Sequence, residues 1–164
     1  MPGRSHRDRL LFELADTRTE LMAAVTPLKP GGLDWAPAEG MKTIRTILQE
    51  IGTMEKVTLH VAIHQVAPDW DEIWESFATT TPNVTESLDK LTAARQETLR
   101  YLDETSEEIL ETPIPMPDGW EGYFGGAHIE PEELIRWIAR HEYYHLGQII
   151  TYRWSQGDEP AASA

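Results

Sequence analysis

His141 and His145 stand four residues apart in the stretch HEYYHLGQI, residues 141–149, and that spacing is the chain's clearest offer of chemistry. On an α-helix, side chains at i and i+4 lie one above the other on a single face. Neutral imidazole is a common metal ligand, so two of them on one face make half of a metal site. Two hydrogen-bonded histidines at a wet interface would show the same spacing, and the neighbours must decide. The stretch also spells H-E-x-x-H, in which Glu142 would be the general base of a zinc peptidase. The extended form of that motif needs Gly at 148 and His at 151, where this chain has Gln148 and Thr151. Glu142 is therefore read as a carboxylate turned away from the bundle axis, solvated or behind a ligand.

The phase of the surrounding helix places the pair. Leu134, Ile138, His141, His145, Gln148 and Tyr152 follow the 3, 4, 3, 4 spacing of one inward-facing stripe, with Trp137 and Tyr144 on its border. A buried imidazole needs a partner, and a metal is one. A third ligand must come from another helix, and the second helical segment offers Glu50, Glu55, His60 and His64. Glu50 shares the phase of Ile47, Met54, Val57 and Val61, so it faces inward, where a carboxylate is costly unless paired or metal-bound. Glu55 falls off that face and reads as an ion-pair partner or a support for a ligand. His60 and His64 lie roughly 15–21 Å along the helix from Glu50 at 1.5 Å per residue. They cannot share its site and read as a surface or interface pair.

Four segments have the apolar period needed to hold such groups. The first runs from about Ser5 to Val25 on Leu10, Leu11, Leu14, Leu21 and Val25. The loop TPLKPGGLDWAPAEG, with three Pro and three Gly, follows it. The second runs from about Thr43 to Val66. Residues 69–82, acidic and Trp-rich, form a loop or one short helix. The third helix is expected from about Asn83 to Leu110 on Leu88, Leu91, Leu99, Leu102 and Ile109. TPIPMPDGWEGYFGGAH, residues 112–128, reads as a long ordered loop or a small hairpin. The fourth helix opens at Pro131, a favoured first-turn residue, and ends near Ser155 before Gly157. Four amphipathic helices without strand alternation give an all-α four-helix bundle with long inter-helix loops. Residues 1–157 form one domain and residues 158–164 a flexible tail.

Composition narrows the function. The chain's 164 residues suffice for one domain with a real core. Its 28 acidic and 14 basic side chains give a formal charge of -14, which argues against nucleic acid as a partner. The absence of Cys leaves His, Asp and Glu as metal ligands. The charged first residues lack a signal-peptide core, and no apolar run is long enough to span a membrane, so a cytoplasmic protein without membrane contacts is expected.

HEYYHLGQI followed by YRWSQG resembles the C-terminal motif of the DinB-like superfamily of metal-dependent enzymes. GLDWAPAEGMKTIRTILQEIGTME, residues 32–55, is similar to its N-terminal motif: a Trp-x-Pro loop, a helix start, a ligand within an apolar run, and a Glu five residues on. The resemblance implies a four-helix bundle holding a divalent metal through one residue of helix two and two His of the last helix. It also implies a homodimer. Members usually supply three His, and here Glu50 stands where the helix-two His is expected, giving a set of Glu50, His141 and His145. Such a set suits zinc or nickel, and also iron or manganese.

The expected activity is a hydrolase using metal-activated water on a small-molecule substrate, with Gln148 or Tyr144 orienting that substrate. The family's other branch implies an S-transferase or isomerase that uses a low-molecular-weight thiol, and a non-catalytic metal-binding or stress-response dimer is a third reading. Trp35, Trp120, Tyr123 and Phe124 on the two long loops suggest an aromatic lining for the pocket.

Overall fold

The four apolar-periodic segments fold as four long helices in a computed structural model that describes residues 5–158. They are α1 (His6–Val25), α2 (Ile44–His64), α4 (Thr85–Glu104) and α7 (Pro131–Ser155). Short elements fill the connections: a 3₁₀ turn (Gly32–Asp34), α3 (Trp70–Ser76), α5 (Glu107–Glu111), α6 (Glu121–Phe124), and a two-stranded antiparallel ladder of β1 (Ile114–Pro115) and β2 (His128–Ile129). The protein is all-α apart from that ladder, as the apolar periods require. Among the described residues no helix is long and apolar enough to cross a membrane.

Side chains at the helix starts explain where the elements begin. Ser5 Oγ accepts from Asp8 N at 3.0 Å while Asp8 accepts from Ser5 N, a reciprocal cap that starts α1. Thr43 caps α2 by accepting from Thr46 N, without a reciprocal bond. The helix expected from Asn83 to Leu110 is broken in two. Thr105 is extended, and Ser106 accepts from Ile109 N to cap a new helix, α5. A serine three residues before Ile109 is a start signal that outweighs the weak apolar period there. Two apolar positions expected inward on this stretch, Leu99 and Ile109, are exposed instead. The inward face of α4 is Leu91, Ala94, Arg95, Thr98 and Leu102.

Helix α7 packs on α1 and α2, α2 also packs on α4, and α4 closes onto α1. Two large apolar clusters result, with a smaller third one of Val61, Ala62, Ile114, Met116, Ile129 and Leu134. Of the large two, one gathers Leu21, Ile47, Ile51, Leu91, Leu146 and Ile149, and the other Leu10, Leu14, Leu59, Leu102, Ile135 and Ile138. Between them in the sequence of every long helix sits one inward-facing charged residue: Arg18, Glu55, Arg95 and Glu142. All four are buried. Arg18 donates to Glu142 at 2.6 Å and to Glu55 at 3.0 Å. Arg95 donates to Glu55 at 2.7 Å and also to Glu142, and Thr98 completes Glu55 at 2.8 Å. Two cations and two carboxylates thus close a neutral layer across the bundle, which is the condition for burying them.

This layer overturns the orientation expected of Glu142, which is fully buried in the bundle and not turned away from its axis. Glu55 is the ion-pair residue its phase suggested. Asp158 is held by Arg153 at 2.9 Å, while the rest of the expected tail, residues 159–164, lies outside the described residues.

Candidate metal centre

Glu50 of α2 and His141 and His145 of α7 bring one ligand atom each to within 4.8 Å of one another. Among the described residues this is the one group of three or more such side chains that close together. The His145 Nε2 to His141 Nε2 distance is 3.2 Å and His145 Nε2 lies 3.8 Å from Glu50 Oε2. Zinc bonds of about 2.0–2.2 Å at tetrahedral angles put ligand atoms roughly 3.4 Å apart, so the spacing fits one ion.

The tautomers fit too. Gln148 Nε2 donates to the Tyr144 hydroxyl at 3.1 Å, which turns Gln148 Oε1 toward His145 Nδ1 at 2.7 Å. His145 must then carry its proton on Nδ1, and its Nε2 lone pair is left facing His141 and Glu50. A metal ligand needs that arrangement. Burial also favours the uncharged imidazoles. It pushes His141 down to about 4, with His145 and Lys42 adding to the depression and Glu50 opposing it. Burial lowers His145 as well, against the opposing pulls of Gln148 and Glu50. Both rings are neutral near pH 7, ready to donate a lone pair.

Glu50 is not the lone carboxylate its phase implied. Its side chain is 20% exposed, and Lys42, just before α2, donates to its Oε2. The ammonium of Lys42 therefore competes for an oxygen that an ion would use. Because the Lys42 side chain is 52% exposed, giving up this pair costs little. Spacing could not reveal Lys42, since a loop residue has no helical phase.

The triad lies in an open cleft lined by Lys42, Tyr144, Gln148 and Tyr152 besides the three ligands. Tyr144 is 63% exposed, while Gln148 is held against His145 and acts through it. His60 and His64 lie with ring centroids 4.5 Å apart and planes tilted by 50° in a separate cleft with Lys56, Glu72 and Glu97, away from the triad. Of the loop aromatics, Trp120, Tyr123 and Phe124 do line a cleft, an apolar one beyond Met54 and Trp137. Trp35 does not line it. Its ring stands edge-on to Tyr152 at 5.9 Å and backs the metal cleft instead.

The family model of the DinB superfamily matches residues 13–149, a span that begins within α1 and includes all three candidate ligands. No curated protein matches the chain.

Proposed function

The chain belongs to the DinB superfamily, and on that footing we propose that it is a metal-dependent hydrolase whose centre is Glu50, His141 and His145. One observation carries the reading. Three strong ligand atoms converge at the edge of an open cleft, with both imidazoles uncharged and one tautomer fixed by Gln148. A structural zinc site would enclose its ion with four protein ligands, whereas three ligands beside a cleft leave room for water and substrate. Zinc heads the list of ions that a two-His, one-carboxylate set suits, ahead of nickel, iron and manganese.

When bound, such an ion would polarise a substrate carbonyl and lower the pKa of water in its open position. The chain's own groups have separate tasks. Gln148 holds His145 in its donor tautomer, and Tyr144 holds Gln148. Lys42 stands on the rim, where its ammonium faces the negative charge that develops on an acyl oxygen. Glu142, sealed in the charged layer, takes no part in proton transfer. The expected homodimer is retained in this reading, supported by the exposed Met22, Tyr143 and Trp154 on the outer faces of α1 and α7.

Elemental analysis of protein purified without an affinity tag tests the centre. One ion per chain is expected, lost in His141→Ala and His145→Ala, and weakened in Glu50→Ala. A wild-type protein that takes up no zinc, nickel, manganese or iron overturns the proposal. Saturable binding of a low-molecular-weight thiol by the loaded protein would move the assignment from hydrolase to thiol transferase.

A further inference from the structure

A second cleft adjoins the metal cleft and differs from it in character. It encloses about 350 Å³ and is walled by Met54, Trp70, Trp120, Tyr123, Phe124 and Trp137. Half of the chain's six tryptophans meet there, and no charged residue lines it although the chain carries 28 acidic side chains. Phe124 meets Trp137 edge to face at 5.6 Å, and Trp120 lies 6.3 Å from Tyr123. The turn that brings these rings together is bracketed by Gly119 and Gly125, both left-handed, at φ 85° and φ 79°. Left-handed backbone there favours glycine on both sides of the aromatic segment.

Position links the two clefts. Met54 lies one turn beyond Glu50 on α2, and Trp137 one turn before His141 on α7, with the Trp137 and His141 rings 6.1 Å apart. One helical turn is about 5.4 Å. A molecule seated on the aromatic walls therefore needs only a short arm to reach the triad.

We propose that this cleft binds the ring of an uncharged aromatic small molecule and delivers its polar group to the metal centre. The substrate class rests on the hydrolase reading above, while the binding of the ring does not. The size lies at the low end for small-molecule sites, which suits one or two rings and excludes a folded partner. An ionised ring substituent would lose its hydration in the cleft and find no counter-charge there. Aromatic rings gain from edge and offset contacts with a ligand ring beyond the area they bury.

The probe is 2-naphthol, titrated by equilibrium dialysis and by quenching of tryptophan fluorescence. Saturable binding of one molecule per chain is expected in the metal-free wild type. The anion 2-naphthoate should bind the metal-free protein at least tenfold more weakly. Ala67→Trp, at an exposed position on the rim, should fill the cleft and cost at least tenfold. Should that variant not fold by circular dichroism, the exposed Tyr123→Ser reads the same loss. On zinc-loaded protein, naphthohydroxamate should exceed acetohydroxamate by at least tenfold, and Ala67→Trp should cancel the gain. A protein that binds 2-naphthol but no zinc refutes the metal reading and leaves the ring site standing. The proposal is overturned if naphthol does not saturate or if naphthoate binds the metal-free protein equally well. It is also overturned if binding falls as the protein self-associates, which would make a second copy the occupant.

Discussion

Replacing Glu142 with Gln separates the two roles this residue could have beside His141. In the buried layer, Arg18 and Arg95 balance Glu55 and Glu142, and Glu142 takes hydrogen bonds from both guanidinium groups. Glu142→Gln removes one negative charge and presents an amide N–H where a carboxylate oxygen faced a donor. One buried cation is then in excess. Breaking a buried pair in this way costs about 3–5 kcal/mol. For a domain of this size, each kcal/mol lowers Tm by about 2–4 °C, so a fall of roughly 6–20 °C is expected. That is a large share of a typical total stability of about 5–15 kcal/mol.

The assay is thermal and urea unfolding of metal-free protein, with zinc uptake measured on the folded fraction. Stability should fall while uptake per folded chain stays at one. Arg95→Met combined with Glu142→Gln should restore part of the loss, because the pair removes one charge of each sign, and its cost should fall well short of the sum of the singles. A Glu142→Gln protein that melts within 2 °C of wild type would refute the reasoning about the layer. Normal stability with lost hydrolysis would point instead to Glu142 as the base of the H-E-x-x-H motif.

Five further outcomes follow from the centre and its surroundings. Gln148→Leu should weaken zinc binding about 10–100-fold by releasing the His145 tautomer, with little change in metal-free Tm, as read by chelator competition. Lys42→Met should tighten zinc by up to about fivefold, since it removes a competing cation in a partly exposed pair, and unchanged or weaker binding would show that Lys42 does not compete. The depressed imidazoles set a pH profile: zinc affinity should hold as pH falls through 6.5 and drop only toward about 4, where native His141 titrates, whereas a steep fall starting near neutrality would contradict the burial of the pair. The same shift destabilises the metal-free fold as pH drops below 6.5, where the unfolded chain binds protons that native His141 refuses until about 4. Gly52→Ala should cost about 1–3 kcal/mol in urea unfolding, because an added Cβ would sit 2.3 Å from the Phe77 ring.

The long helices were legible because their apolar residues repeat with the helical period, and Pro131 together with the Pro and Gly loops marks where they start or stop. The triad was legible for the same reason. Glu50, His141 and His145 each occupy an inward phase, and phase can be counted along a single helix. The break at Thr105 and Ser106 was less visible, because a capping serine acts on one backbone N–H and leaves no period. Lys42 and the Gln148 tautomer lay beyond reach, since each depends on which side chain meets which across space.

Glu142 shows where phase reasoning failed and how it could have succeeded. Its neighbour His141 faces the cleft, and a step of one residue turns about 100° around the helix. That step reads as leading away from the bundle axis, to solvent or behind a ligand, although α7 is covered on two sides, by α1 and α2. The inference that raised Glu50, a charge in an apolar phase needing a partner, applies with more force elsewhere. Arg18 lies between Leu14 and Leu21, and Arg95 between Leu91 and Leu102. Two arginines at inward positions on separate helices call for two buried carboxylates at the same level. Glu55, one residue out of phase with Glu50, and Glu142, one residue out of phase with His141, are those two. On α2 and α7 alike, the triad face and the charged-layer face are separate, so the chain holds its candidate ligands at the cleft with the opposing ionic layer fixing the helices behind them.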